Sequence, residues 1–446
     1  MKNPVLEISS FRYFLLSRVA MTMSNQMLMV IVAWQMYDIT HSAYDLGMVG
    51  LAQFIPALAL CLVTGQVADR YDRRRALMGC LLAQFGVALL LIAGTAGGWL
   101  GREVILLASV GLGVAKAFQM PTQQALLPTL VPLPALPRAL AINSAGSQCA
   151  TIVGPAIGGF IYVAGASVVY CACAAMCLFS AAMIYLIRHQ QVRSAREQVT
   201  LQSLFAGIRF IWTRKEVLGA ISLDLFAVLF GGATALLPVF ARDVLHTGSW
   251  GLGLLRSAPA VGALLVSLYL ARYPIQRRVG KMMFGSVALY GLTTLVFALS
   301  HSILLSLAAL MLSGAFDMVS VVVRQSLVQL ETPDEMRGRV SAVNSIFIGA
   351  SNQLGEFESG VTAGWLGAVP SVLVGGASTV LIVALWMKLF SFVGSTSEAH
   401  GFVARLVAPL LWLSRSARAK QLNLVDLTTH RRHFSLSRRV AAARRQ

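Results

Sequence analysis

The chain has 446 residues, 57% of them hydrophobic and only 12% charged, with a formal net charge of +18. A soluble globular domain carries about 25% charged residues, so this composition excludes an ordinary soluble enzyme and points to a polytopic membrane protein. The positive balance follows the loops and the tail, and it is read as a topology signal rather than as nucleic-acid binding.

Twelve apolar runs approach the roughly 20 residues that span a bilayer. They fall at 13–37, 44–66, 76–97, 102–120, 139–163, 165–187, 217–240, 249–271, 281–300, 302–324, 339–363 and 368–392. Continuous apolar runs lack the two-residue alternation of a barrel strand, so helices are expected. The first run shows no small-residue cleavage site and is expected to be retained. Arginines and lysines gather after spans two (Arg70, Arg73, Arg74, Arg75), six (Arg188, Arg193, Arg196), eight (Arg272, Arg277, Arg278) and ten (Arg337, Arg339). The opposite loops offer Arg102 and Arg242. Both termini are therefore expected in the cytoplasm.

In the first half, Arg18 is expected to snorkel towards the surface. Asn25 and Gln26 in span one, Lys116 and Gln119 in span four, and Gln148 in span five are candidate polar lining of a cavity. Lys116 reads equally well as a snorkelling end. All six cysteines lie inside spans and read as small packing residues, with no metal site expected. "GPAIGG" (154–159) supplies small residues for close helix approach, and Pro155 permits a kink.

Residues 188–216 are polar and basic and read as a central cytoplasmic loop between a first bundle, 1–187, and a second, 217–392. Charges then enter the apolar runs: Asp224, Arg256, Asp317, Arg324, Glu356 and Glu358. A charge at the bilayer centre costs roughly 2.5–3.5 kcal/mol on the mildest scales. Intramembrane carboxylates are therefore candidates for gaining and shedding a proton. Glu356 and Glu358 stand about 200° apart around a helix, so one is expected to face the central pathway and the other a neighbour. Asp317 and Arg324 share a face two turns apart, too far for easy direct pairing. The tail, 393–446, is basic. Its stretch 402–420 reads as a short interfacial helix on anionic lipid, followed by a disordered end.

The two halves repeat. "ALAINSAGSQCATIVGPAIGG" (139–159) lies over "VSAVNSIFIGASNQLGEFESG" (340–360) at an offset of 201. Asn143 then meets Asn344, Ser144 meets Ser345, Gly154 meets Gly355 and Gly159 meets Gly360; Gln124, Pro132 and Arg138 meet Gln325, Pro333 and Arg339. Pro155 meets Glu356, so the second copy exchanges a structural residue for an ionisable one. Parallel repeats place a cavity at their interface near the midplane.

With this repeat, "GQVADRYDRRR" (65–75) and "GPAIGG", the chain resembles a major facilitator superfamily transporter. Within it, "TPDEMRGRVSAVNS" and "VGPAIGG" look most like the enterobactin-exporter branch of drug:proton antiporters. The resemblance implies an all-α fold of twelve transmembrane helices in two six-helix bundles. It makes Gly65, Asp69, Arg70, Arg73 and Arg74 a cytoplasmic latch between the halves, with Asp72 standing where a glycine is usual. Gly154, Pro155, Gly158 and Gly159 become the antiporter motif.

No nucleotide-binding glycine loop and no His-Glu-x-x-His cluster is present, so no enzyme and no cofactor is expected. The expectation is a monomeric exporter in a bacterial inner membrane. It moves a small amphiphilic molecule in exchange for protons, with Glu356, Glu358, Asp317, Asp224 and Arg324 as the proton-coupling candidates and Arg256 lining the cavity. Import by proton symport is the alternative within transport. A membrane sensor or scaffold acting through the basic tail is the alternative outside it.

Overall fold

A computed structural model describes residues 5–70, 72–187, 201–273 and 279–389, and among these there is no strand. The helices are α1 (Ser9–Thr40), α2 (Ala43–Arg70), α3 (Arg73–Ala96), α4 (Arg102–Leu126), α5 (Leu136–Ile161), α6 (Ala166–Tyr185) and α7 (Leu201–Thr213). They continue as α8 (Lys215–Gly231), the single turn α9 (Leu237–Val239), α10 (Gly248–Arg272), α11 (Val279–Leu299), α12 (Ile303–Glu331), α13 (Asp334–Leu366) and α14 (Ala368–Leu389).

Eleven segments among the described residues are long and apolar enough to cross a membrane. The 33-residue α13 is not among them, although it lies where the eleventh span was expected. Its polar and charged side chains, Asn352, Gln353, Glu356 and Glu358 among them, dilute its hydropathy. It packs instead on α2, α7 and α8.

Helices α1 to α6 pack chiefly on one another, and α8 to α14 do likewise. Small residues bring the helices of each set into close contact. Gly113 of α4 lies on the Gln53 backbone of α2, and the repeat-equivalent Gly314 of α12 lies on the Pro259 backbone of α10. Two crossings join the sets, α5 on α10 and α2 on α13. At the first, a Cβ on Gly159 would strike the Ser249 carbonyl and Gly253; at the second, a Cβ on Gly360 would come within 2.6 Å of the Gly47 Cα. Both crossings lie towards the end of the bundle that carries the turns at 41–42 and 246–247. Nearer the other end Ser341, Ser345 and Asn352 of α13 and Ser144 of α5 are exposed.

Three local features depart from the expected pattern. The expected continuous span 217–240 is broken. α8 stops at Gly231, Gly232 leaves helical geometry (φ −72, ψ 66), and a 3-10 turn, α9 and a π turn (Phe240–Val244) follow. Consecutive glycines weaken a helix, and here the Tyr290 hydroxyl takes up the Gly231 carbonyl at 3.1 Å. The expected central loop contains α7, whose apolar face, with Ile208 and Ile211, packs on Val340 and Val343 of α13. Asp72, standing where the family has glycine, is the N-cap of α3, accepting from the Arg74 N–H at 2.9 Å. Residues 188–200 and the tail helix expected at 402–420 lie outside the described residues.

Candidate functional site

Charged side chains inside the bundle gather in two places. The first is at the α2–α13 crossing, between the two sets of helices. Glu356 of α13 faces Gly50 of α2; a Cβ there would meet Glu356 Oε2 at 3.0 Å. Arg256 of α10 reaches Glu356 Oε1 at 3.9 Å, and their side chains are 9% and 18% exposed. Arg256 also donates to the Thr234 carbonyl, beyond the break in α8, at 3.4 Å. Lys116 of α4 donates to Gln53 Oε1 at 2.9 Å and interacts electrostatically with both Glu356 and Arg256. Lys116 therefore faces the interior and does not snorkel. The set holds two cations and one carboxylate, drawn from both sets of helices.

The second gathering lies within the second set. Arg324 Nη2 of α12 pairs with Asp224 Oδ2 of α8 at 3.1 Å, and its Nη1 donates to Asn344 Oδ1 of α13 at 3.3 Å. Asp317, two turns before Arg324, interacts electrostatically with Asp224 and Arg324, as Tyr290 does with both acids. Two carboxylates thus stand against one guanidinium, and the ion pair is to Asp224. Arg324 Nε has no partner, so this buried group retains an unused donor.

The repeat relates the two gatherings. At the offset of 201, Lys116 occupies the place of Asp317, and Gln123 that of Arg324. The first set has a neutral junction in the corresponding region: Gln123 Nε2 donates to Met21 Sδ at 2.9 Å, and the Oδ1 of Asn143, counterpart of Asn344, has no partner. Among the first-set counterparts of Asp317, Arg324, Asn344 and Glu356, only Lys116 is ionisable.

The remaining expected residues fall elsewhere. Glu358 is half-buried on another face of α13 from Glu356, in keeping with their angular separation. Gln119 does not line the gap between the sets; it is buried inside the first set, accepting from Gln84 and donating to Met21. Gln26 packs on Gly154, the buried Asn25 Oδ1 has no partner, and Gln148 is half-buried. Arg18 does not snorkel: its Nε donates to Ser147 of α5 at 3.1 Å. Within "GPAIGG", Gly154 and Gly158 seat α1, while Gly159 and the Pro155 carbonyl meet α10 across the two sets. Arg73 donates to the Ala125 carbonyl, and Arg74 to the carbonyls of Ile184 and Tyr185, all within the first set. The side chains of Gly65, Asp69 and Arg70 lie outside the description.

Two features had no counterpart in the sequence reading. One is the break in α8. The other is a polar clasp at the closed end, where Arg242 pairs with Asp38, and the Tyr37 hydroxyl donates to Asp243. His41 and His246, the only non-glycine residues with positive φ among those described, flank it.

Residues 14–356 match the Major Facilitator Superfamily. The staphyloferrin A transporter of Staphylococcus aureus (strain NCTC 8325 / PS 47) is 24% identical over 84% of this chain and 95% of its own length. The enterobactin exporter EntS of Citrobacter koseri is 27% identical over 85% of this chain and 91% of its own length. Among solved structures, a bacterial homologue of the iron transporter ferroportin in an inward-facing state superposes with a TM-score of 0.65. It is 16% identical, over 85% of this chain and 98% of that one. A bacterial homologue of the lysosomal transporter Spinster, inward-facing and occupied, superposes with a TM-score of 0.66. It is 13% identical, over 89% of this chain and 98% of that one. These structural likenesses concern the fold.

Proposed function

The chain belongs to the Major Facilitator Superfamily and is a membrane transporter, and from that premise we propose that it is a proton-coupled exporter of a small amphiphilic molecule. It acts in a bacterial inner membrane, with both termini in the cytoplasm, by alternating access between bundles 1–187 and 217–392. The relatives named as siderophore transporters favour a siderophore or similar metabolite as cargo. The arginine-rich loops, by the positive-inside rule, put the clasped end outside. The described state then opens inward. Arg74, bonded to the Ile184 and Tyr185 carbonyls of its own half, suits a latch that engages the other half when the cytoplasmic ends close.

The observation that carries the coupling is the charge count around Arg324. Asp224 pairs with the Arg324 guanidinium and Asp317 acts on both electrostatically, so two carboxylates stand against one cation, and an uncompensated charge there is costly. One proton restores balance. Its arrival or loss changes how Arg324 divides between Asp224 and Asn344, and Asn344 belongs to α13, the helix that crosses to the other half. A proton at Asp317 or Asp224 is thereby linked to the crossing that must open and close. Glu356 and Glu358 are secondary candidates for the same task.

Proteoliposomes of defined orientation, loaded with enterobactin or staphyloferrin A, test this. Efflux accelerates when the exterior is made acidic relative to the lumen and slows when the gradient is reversed. Asp317→Asn and Asp224→Asn lose the dependence on the gradient and keep downhill exchange. Efflux stimulated instead by an alkaline exterior assigns the protein to symport and import.

A further inference from the structure

The gathering at the α2–α13 crossing has the opposite imbalance: Lys116 and Arg256 face a single carboxylate, Glu356. Neither cation is saturated by what surrounds it. Among the described residues, Lys116 has one side-chain partner, Gln53, for three donors, and Arg256 has two long contacts, 3.9 Å to Glu356 and 3.4 Å to the Thr234 carbonyl, for five. Beside them, Gln353 Oε1 is buried with no partner, close to Gly50 and Glu356. Unspent donors and an orphaned polar atom converge on a point between the two sets of helices. Gly50 keeps the α2 wall thin there, since a Cβ would press on Glu356.

We propose that this cluster is an anion-binding subsite for an oxygen anion of the cargo, a carboxylate or similarly charged oxygen pair, with Glu356 as its built-in competitor. When no cargo is present Glu356 holds Arg256. An arriving anion takes the guanidinium in a bidentate grip, the arrangement Arg favours, and draws Lys116 from the other half onto its second oxygen. Cations from α4 and α10 then converge on one ligand, so occupancy bears on both sets at once. Gln353 receives a hydroxyl of the same molecule. The assignment rests on the chain being a transporter but not on its being driven by protons.

Binding of a graded series to the full chain in lipid nanodiscs tests it, with empty nanodiscs subtracting partition. The probes share one octyl tail: a citrate monoester with two free carboxylates, the corresponding neutral triester, and octyltrimethylammonium. The dianion binds, and the neutral and cationic probes bind at least tenfold more weakly. Lys116→Gln and Arg256→Gln each weaken the dianion by about tenfold or more, the loss of a charge-assisted contact. Lys116→Arg retains most of the affinity, which separates lost charge from lost fold. Glu356→Gln tightens it several-fold, an effect that general disruption of the site does not produce. Preference for the ammonium probe, weakening by Glu356→Gln, or no dianion binding to either wild type or Glu356→Gln overturns the assignment. Because no gradient is present, such a failure leaves the proton scheme at Asp317 and Asp224 standing, and failure of that scheme leaves this one.

Discussion

Arg324 and Asp224 form an ion pair at 3.1 Å with side chains only 3% and 7% exposed, joining α12 to α8 across a sequence separation of 100 residues. Removing one member of a buried pair takes the direct partner from the other and costs up to about 3–5 kcal/mol, with Asp317 remaining as a second carboxylate that interacts with Arg324. Asp224→Asn and Arg324→Gln should therefore each lower the apparent unfolding temperature in detergent markedly. The double variant should lose clearly less than the sum, since each single change already removes the direct Arg324–Asp224 contact. Additive losses across the cycle would show that the two groups do not depend on each other.

The crossing of α2 on α13 leaves no room for a side chain at Gly360, where a Cβ would lie 2.6 Å from the Gly47 Cα and 2.9 Å from the Ala43 carbonyl. Gly360→Val cannot be relieved by moving a flexible side chain, because backbone stands in the way. Overpacking of this kind costs about 1–3 kcal/mol, and the helices escape it by staying apart at this end. The expected result is a protein that inserts normally but does not transport. A cysteine placed at Ala43 should become reactive to an impermeant maleimide from the clasped side, and full transport by this variant would show that the crossing need not close.

Much of this was legible in the sequence, and the boundary is physical. The offset of 201 carried Gly159 onto Gly360, and both seat the two inter-set crossings. Glu356 stood out because an acid replaced the proline of its twin. Its angular separation from Glu358 followed from helix geometry alone. Partners across helices were not legible: Arg324 shares a helix with Asp317, yet its ion pair is with Asp224, and no spacing rule links them. The break at Gly231–Gly232 was hidden within an apolar run, although the paired glycines were its signal. α7 was hidden by its basic residues, although Leu201, Leu204, Phe205, Ile208 and Ile211 recur at helical spacing. Gln119 looked like cavity lining because a polar group in a span has two ways to be satisfied, water or another side chain. Gln84 supplied the second.

The clasp at the end that carries the turns at 41–42 and 246–247 should tune the balance between states without being indispensable. Arg242 and Asp38 are 32% and 48% exposed, and pairs of that kind contribute about 0.2–1 kcal/mol. Arg242→Glu sets two acids, Asp38 and Asp243, against a third and should favour opening at that end several-fold. Asp38→Lys combined with it should recover most of the original balance. The readout is the maleimide labelling rate of a cysteine at Ser249, buried in the closed end, in a background lacking the native cysteines. No change in rate with Arg242→Glu would mean that the crossings alone hold this end shut.

The asymmetry between repeats makes a sharper claim, because position and chemistry can be separated. Gln123 occupies the repeat position of Arg324, but among the described residues its amide reaches only the Met21 sulfur and its Oε1 has no partner. Replacing it with Met removes a weak contact together with an orphaned buried acceptor, a change that is near neutral when the shape is kept. Gln123→Met should therefore leave the unfolding temperature within a few degrees of wild type and keep efflux responsive to an acidic exterior. Arg324→Met at the matching place leaves Asp224 and Asp317 without their cation and should abolish that response. Proteoliposome efflux measured with and without the gradient compares the two directly. Equal loss in both variants would mean that the junctions serve packing alike, and that the arginine is not where coupling resides.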